Sequence, residues 1–379
     1  MPLIDSYNRC IDYLRVSVTD RCNFRCVYCM PLEGAETAPR DEILTCGEIV
    51  RLVRIAARLG MHRIRLTGGE PLVRPDIIEL TAGVAATPGL KDFSLTTNGF
   101  LLARHAAALA AAGLNRVNIS LDTLRSDRFE AIARKGKLEP VLQGIAAAIA
   151  NGLTPIKLNC VVMRGWNDDE VVAFAARTLS EPLNVRFIEL MPINWSRGDD
   201  SIQDWAAGPL PTPRRGDGTS QITLFASAEA ASFRKAFVMQ ESSERMLDGE
   251  ALRRAWVSSS ESQARIEAEF GPLEPAELLT NGPARTYRIP GAAGTVGFIS
   301  QISNDLCERC NRLRLTADGF LRPCLMADGE VNLRVLLRNG ASDHDLAEQF
   351  ITTVRHKPKE HRIEDGLMPS SRSMSQIGG

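Results

Sequence analysis

The sequence predicts an α/β fold, a parallel sheet in a partial (βα)6 barrel followed by a smaller C-terminal domain. Two observations carry this. Short apolar and β-branched segments alternate with stretches of helical periodicity from the N-terminus to about residue 190, and beyond a region rich in Pro, Gly and Ser the pattern changes. Strict alternation implies right-handed crossovers between parallel strands, and in barrels of this kind chemistry sits at the C-terminal ends of the strands.

Strands are predicted over 14–18, 63–67, 93–97, 117–120, 156–162 and 185–190. Helices fall between them at 46–59, 76–86, 101–112, 127–151 and 168–179, the fourth broken near Gly136. After residue 194 the run Pro211-Thr212-Pro213-Arg214-Arg215-Gly216-Asp217-Gly218 reads as loop or linker. From residue 272 a smaller module begins, with strands over 286–289 and 295–299. The expected organisation is a barrel over 1–194, an irregular linker or insertion over 195–271, a C-terminal module over 272–340 and a C-terminal extension over 341–379. No internal repeat is visible.

The chain has 379 residues and a net charge of −1, which gives no global pull toward nucleic acid or a membrane surface. An anionic ligand must therefore be met by local arginines. Asp5 and Asp12 interrupt the N-terminus, where no secretory signal is visible, and the apolar run 101–114 is broken by Arg104 and His105 and too short to span a bilayer. A cytoplasmic protein without nucleic-acid or membrane partners is expected. Of nine cysteines, six form two tight triplets, which in a reducing compartment read as metal ligands. Cys10, Cys46 and Cys160 are left as buried structural thiols.

The first triplet, Cys22, Cys26 and Cys29, follows the first strand with C-x3-C-x2-C spacing. Three thiolates can hold three corners of a [4Fe–4S] cluster and leave the fourth iron open to a small molecule. Zinc competes, but structural zinc usually takes four protein ligands. After the second strand comes Thr67-Gly68-Gly69-Glu70-Pro71. Its glycines would let backbone approach a ligand, and Glu70 offers a carboxylate to an ammonium group; a mere tight βα loop is the plainer alternative. The second triplet is Cys307-x2-Cys310 with Cys324 after thirteen residues. A structural zinc site would have to borrow Cys10 or a histidine, whereas a second open cluster needs no borrowing. Between these cysteines runs Asn311-Arg312-Leu313-Arg314-Leu315, whose alternation would put both guanidiniums on one face, suited to a polyphosphate.

The cysteine spacing, with the aromatic Tyr28 before the last cysteine and the GGEP turn, resembles the radical S-adenosylmethionine (SAM) enzymes. That resemblance implies a TIM-type partial barrel in which the open iron chelates SAM and an electron cleaves it to a 5′-deoxyadenosyl radical. The run Leu14-Arg15-Val16-Ser17-Val18-Thr19-Asp20-Arg21-Cys22-Asn23-Phe24-Arg25-Cys26, the Cys307-x2-Cys310-Asn311-Arg312-Leu313-Arg314 segment and the final Gly378-Gly379 narrow the likeness. The chain is similar to the GTP 3′,8-cyclase family of molybdenum cofactor biosynthesis over nearly its whole length, about 195–270 excepted.

This implies a lyase with two [4Fe–4S] clusters and SAM as cofactors. A radical at C3′ of GTP attacks C8 of guanine, giving (8S)-3′,8-cyclo-7,8-dihydroguanosine 5′-triphosphate. By position, Arg15, Arg65, Thr96, Lys157, Arg312, Leu313 and Arg314 would contact GTP. Tyr28, Gly69, Glu70, Ser120 and Met191 would line the SAM site, and Arg15, Gly378 and Gly379 would act in catalysis. A reductant such as flavodoxin or ferredoxin and hand-off to cyclic pyranopterin monophosphate synthase are implied, with a homodimer left open. Two alternatives stand at this point: a radical SAM peptide-modifying enzyme with an auxiliary cluster, and a non-catalytic zinc protein that binds nucleic acid.

Overall fold

A computed structural model describes residues 2–191, 249–277, 282–303, 306–361 and 372–378. Its centre is a run of parallel strands in chain order: β1 (Tyr13–Ser17), β2 (Arg63–Thr67), β3 (Asp92–Thr97), β4 (Arg116–Ser120), β5 (Lys157–Val162) and β6 (Asn184–Glu189). Helices α1 (Cys46–Arg58), α2 (Ile77–Ala85), α3 (Leu102–Ala111), α4 (Ser126–Ala133), α5 (Leu138–Ala150) and α6 (Val171–Ser180) connect them. Local chemistry sets the boundaries. Thr45 and Glu48 close a capping box at the start of α1. Between α4 and α5, Gly136 adopts φ 122°, and a Cβ there would collide with the Phe24 ring, so the predicted break needs glycine.

The C-terminal residues lengthen this same sheet at both edges. β9 (Thr295–Ile299) pairs parallel with β6, and antiparallel β8 (Arg285–Arg288) and β7 (Glu274–Pro275) follow it outward. On the other edge β10 (Arg312–Leu315) pairs parallel with β1, followed by antiparallel β11 (Phe320–Arg322) and β12 (Val331–Asn332). Among the described residues these strands form one twelve-stranded sheet. Leu14, Val16, Ile64, Leu66, Leu313 and Leu315, alternate residues of β1, β2 and β10, are fully buried in the main apolar core. The residues between them, Tyr13, Arg15, Arg65, Arg312 and Arg314, line cavities inside the barrel.

The expectation of an irregular stretch over 195–271 is corrected for its described part. α7 (Gly249–Ala255) and α8 (Ser259–Phe270) are helical, while 192–248 lie outside the described residues. The sequence of α8 carries few apolar residues and therefore little periodic signal. It is fixed by Ser258 accepting from Glu261 N, by Glu189 accepting from Ser259 N and by burial of Ile266. Of the three leftover cysteines, Cys160 is buried as expected, but Cys46 is only half-buried and Cys10 is exposed. Two further helices, α9 (Leu333–Arg338) and α10 (Asp343–Arg355), follow β12. Leu346, Phe350 and Val354 of α10 join the main core, and Asp343 pairs with Arg51 and Arg58 of α1. Among the described residues no helix is long and apolar enough to cross a membrane.

Packing between α3 and α5 supplies a stability test. Gly144 of α5 faces the Gly99 carbonyl, and a Cβ there would also lie 3.1 Å from Leu102 Cβ. Gly144→Ala should cost about 1–3 kcal/mol through overpacking. At Gly47 of α1 a Cβ would meet nothing within 4 Å, and Gly47→Ala should be neutral or slightly stabilising. Urea denaturation followed by circular dichroism checks both.

Candidate active site

The barrel opens at the C-terminal ends of its strands into a space of about 1430 Å³, mouth included. Its lining includes Cys22, Cys26, Tyr28 and Cys29, and also Arg312, Arg314, Gln301 and Leu325. The cysteine loop is tied to the GGEP turn: Gly69 N donates to Thr19 O and Glu70 N to Arg21 O, both at 2.8 Å. A Cβ on Gly68 or Gly69 would collide with those same carbonyls, and Gly68 has φ 142°. The glycine pair thus packs one βα loop against the other, and Gly69 also reaches the cavity wall.

Within the loop Cys29 N donates to Cys26 O at 2.9 Å, and Phe24 N to Cys22 Sγ at 3.4 Å. Burial pushes Cys22 up to about 11 and Cys29 up to about 12, and it raises Cys26 as well; neighbouring thiols add to the effect at Cys26 and Cys29. Three adjacent, half-buried thiols resist ionisation until a cationic group shares them. Among the described residues no three His, Cys, Asp or Glu gather as they would on a single metal ion. A donor set of three thiols spread over one loop fits the separate corners of an iron–sulfur cubane.

Glu70 departs from expectation. It is fully buried and off the cavity wall, with its carboxylate accepting from Leu72 N (3.0 Å), Thr97 Oγ1 (2.7 Å) and Asn98 N (2.6 Å). Burial raises its carboxyl to about 7 against these bonds. The residue braces its own turn against the end of β3 instead of presenting an open carboxylate. Asp122, which the sequence did not single out, is an acidic residue at the cavity wall. Its Oδ2 accepts from Tyr28 Oη at 2.7 Å and its Oδ1 from Val161 N at 2.9 Å, and burial lifts it to about 6. An acidic residue just past the end of β4 was the available signal. Ser120 and Met191 line the same wall, as does Asn159, whose Oδ1 is buried without a hydrogen-bond partner.

The interior below is cationic. Arg314, Arg15 and Arg65 stand side by side across β10, β1 and β2, and Arg186 of β6 faces the same space. Burial first, then Arg314 and Arg65, pulls Arg15 down; burial and neighbouring arginines bring Arg186 and Arg314 down to about 9. Arg65 Nη2 and Thr96 Oγ1 are buried without hydrogen-bond partners. Lys157 is fully buried behind the cavity wall, and burial with Arg186, Arg116 and Arg65 pushes it down to about 5. Leu313 is corrected: it faces the apolar core at 0% exposure, because alternation turns its side chain away from Arg312 and Arg314. Arg186 was missed, although a charge set among Val185, Phe187 and Ile188 in a parallel strand is itself a signal.

Cys307, Cys310 and Cys324 line an adjoining cavity of about 420 Å³ together with Lys357 and His361. Arg312, Arg314, Gln301 and Leu325 border both cavities. Lys357, 3% exposed, donates to Arg312 O at 3.0 Å and Pro323 O at 2.5 Å, joining the segments that carry Cys310 and Cys324. Burial pushes the Cys310 thiol up, but Arg312 and Lys357 outweigh it and bring it down to about 6. The chemistry again suits a group held by thiolates. Cys10 does not reach this cavity.

The last described residues also reach the mouth. Met374 and Ser375 of α11 (Met374–Ile377) line the main cavity. Gly378 has φ 69°, and a Cβ on it would collide with Ser17 Oγ and lie 2.7 Å from Thr67 Cγ2. Arg314 Nη1 donates to Ile377 O at 3.3 Å and to Gly378 O. Gly379 lies outside the described residues.

Comparison with known proteins places these features. The Radical SAM superfamily profile matches residues 16–177, and the Molybdenum Cofactor Synthesis C profile matches 242–363. The chain is 46% identical over 376 residues to the GTP 3′,8-cyclase of Moorella thermoacetica, and equally to that of Pelotomaculum thermopropionicum, with 99% of each chain covered. It is 46% identical over 378 residues to the GTP 3′,8-cyclase of Heliobacterium modesticaldum, with both chains covered in full.

Lys157 yields a test of the buried charge. With a folded pKa of about 5 against the ordinary value of 10.5, the unfolded chain holds a proton that the folded chain lacks over that window. Its contribution to stability therefore improves as pH rises from 5 toward 10.5. Lys157→Met should be more stable than wild type at pH 6, by about 1–3 kcal/mol, and the advantage should shrink by pH 9. Urea midpoints of the ligand-free proteins at the two pH values measure this.

Proposed function

The chain belongs to the GTP 3′,8-cyclase family, and from that premise we propose how its barrel divides the work between two cysteine sites. It carries out the family's reaction, the radical SAM cyclisation of GTP to (8S)-3′,8-cyclo-7,8-dihydroguanosine 5′-triphosphate that opens molybdopterin biosynthesis. Its cofactors are two [4Fe–4S] clusters and SAM.

Cys22, Cys26 and Cys29 hold the first cluster, and Cys307, Cys310 and Cys324 the second. When bound, the first cluster with SAM would supply the radical chemistry, and the second would bind and orient the purine. Tyr28, Gly69, Ser120 and Met191 wall the SAM side, with Asp122 fixing the Tyr28 hydroxyl. Arg65, Arg186, Arg312 and Arg314 take the triphosphate, Thr96 offers its hydroxyl, and Lys157 adds charge from behind as bound phosphate draws a proton onto it. Arg15 and the Gly378-Gly379 tail act at the reacting end of the substrate.

One observation carries the reading: Arg312 and Arg314 border both cysteine-lined cavities, so a substrate gripped there lies between the two. Holding both reacting ends in one frame is where such a site gains rate. By this division, 1–194 provide the barrel, 272–340 the second cluster and part of the cation set, and 341–379 an extension ending in the tail. A small reductant such as flavodoxin or ferredoxin and hand-off of the product to cyclic pyranopterin monophosphate synthase complete the expected partners, in the cytoplasm.

Anaerobic assays of reconstituted variants test the division. The Cys22/Cys26/Cys29→Ala protein should cleave no SAM. The Cys307/Cys310/Cys324→Ala protein should keep part of its SAM cleavage and lose GTP conversion; full conversion would overturn the assignment. Arg65→Ala or Arg314→Ala should weaken GTP binding by about tenfold to a hundredfold, the loss of one charged hydrogen bond at roughly 1.5–3 kcal/mol.

A further inference from the structure

We propose that Arg372 is a latch that holds residues 373–378 in the barrel mouth, and so a positioning residue for the reaction. The proposal rests on the reading that the Gly378-Gly379 end takes part in turnover.

The geometry is that of a built anchor. Arg372 Nε lies 3.1 and 2.9 Å from the two Glu330 carboxylate oxygens, and Nη2 donates to Glu330 Oε1 at 2.8 Å. Nη1 donates to Asp318 Oδ1 at 3.0 Å, and Nη2 lies 3.0 Å from Asp318 Oδ2. The guanidinium also stacks 4.6 Å above the Phe320 ring. The Arg372 side chain is 12% exposed and its carboxylate partners 14% and 20%, so water and salt screen the pairs only partly. Two carboxylates and a ring face match a planar, permanently charged fork, which lysine could not reproduce. Phe320 opens β11, Asp318 lies in the turn before it and Glu330 just before β12, so all three partners sit at one edge of the sheet.

The segment after Arg372 is short and tied at several points. Ser373 N donates to Gln376 Oε1 at 2.8 Å in a capping box, and Gln376 Nε2 reaches Glu36 O at 3.1 Å. Ile377 is 1% exposed, within the apolar cluster that holds Leu325 and Met326. The segment then ends in the slot between Ser17 and Thr67, where Arg314 takes its carbonyls. Ordering a chain end is opposed by backbone entropy, and most such ends fray. Here Arg372 fixes one end and Arg314 the other, with one helical turn setting the distance between them.

The latch also has a structural neighbour of consequence. Glu330 Oε2 accepts at 2.5 Å from Arg322 Nη1, and Arg322 is fully buried on β11, two residues before Cys324. One carboxylate thus joins the tail anchor to the strand that leads into the second cysteine site.

The test uses the full-length, cluster-reconstituted enzyme with Arg372→Ala, Arg372→Lys and Asp318→Asn, beside a protein ending at Ile377. Hydrogen–deuterium exchange of residues 373–378 reads the tail directly, and iron content and circular dichroism check the fold. For Arg372→Ala, tail exchange should rise at least tenfold and kcat for GTP fall about tenfold, with the KM for GTP within twofold and iron content unchanged. Arg372→Lys and Asp318→Asn should show smaller changes in the same direction, and they carry the test if the alanine variant does not fold. Unaltered tail exchange in all three variants overturns the latch. Loosened exchange with full turnover overturns the positioning role. In that case the shortened protein separates the causes: if it is inactive, the tail acts without needing the latch, and if it is fully active, the reading of the tail itself has failed.

Discussion

The rest of the molecule depends on mutual repulsion between cations shut inside the barrel. Arg15, Arg65, Arg186 and Arg314 share one low-dielectric space beside Lys157, which burial and that repulsion leave uncharged near neutral pH, whereas Asp92 is already committed to Arg116. Such an interior cannot hold itself together. It is imposed from outside by the apolar faces of the same strands, where residues such as Leu14, Val16, Ile64 and Leu66 pack into a core with the helices. The two faces of each strand therefore have opposite energetic signs. One supplies the stability, and the other holds charge that a polyanion would neutralise on binding.

How far the sequence discloses this depends on how much of it is local. The βα units up to residue 190 were legible because each strand and helix writes its own period, and their observed bounds differ from the predicted ones by only a few residues. The break at Gly136 was legible for the same reason. The edge pairings were not: Tyr13 opposite Arg312 and Asn184 opposite Thr295 join segments with no periodic relation to one another. Nor was α8 legible, since its hold on the fold is a polar cap and one buried isoleucine.

Side-chain roles show a similar limit. Arg312 and Arg314 were placed on one face by alternation, and that rule should also have excluded Leu313. For Glu70 the motif identified an important carboxylate but not its partners, because Leu72, Thr97 and Asn98 converge on it only in three dimensions. Gly68 and Gly69 answer to the carbonyls of Thr19 and Arg21, some fifty residues away in sequence. Asp122 and Lys357 were missed since nothing near them in sequence shows that they meet Tyr28 and the Cys310 loop.

The pairing of β1 with β10 bears on how the chain is made. β1 leaves the ribosome early, yet one of its two neighbours begins at Arg312. At about 5–20 residues per second, synthesis of the intervening chain takes on the order of 15–60 s. During that interval the inner strand of the finished sheet is an open edge, with unpaired amides and carbonyls able to template a wrong partner. It carries its arginine on one face and its leucine and valine on the other throughout. A strand that ends up inside the sheet is thus the one whose edge stays open longest while the protein is born.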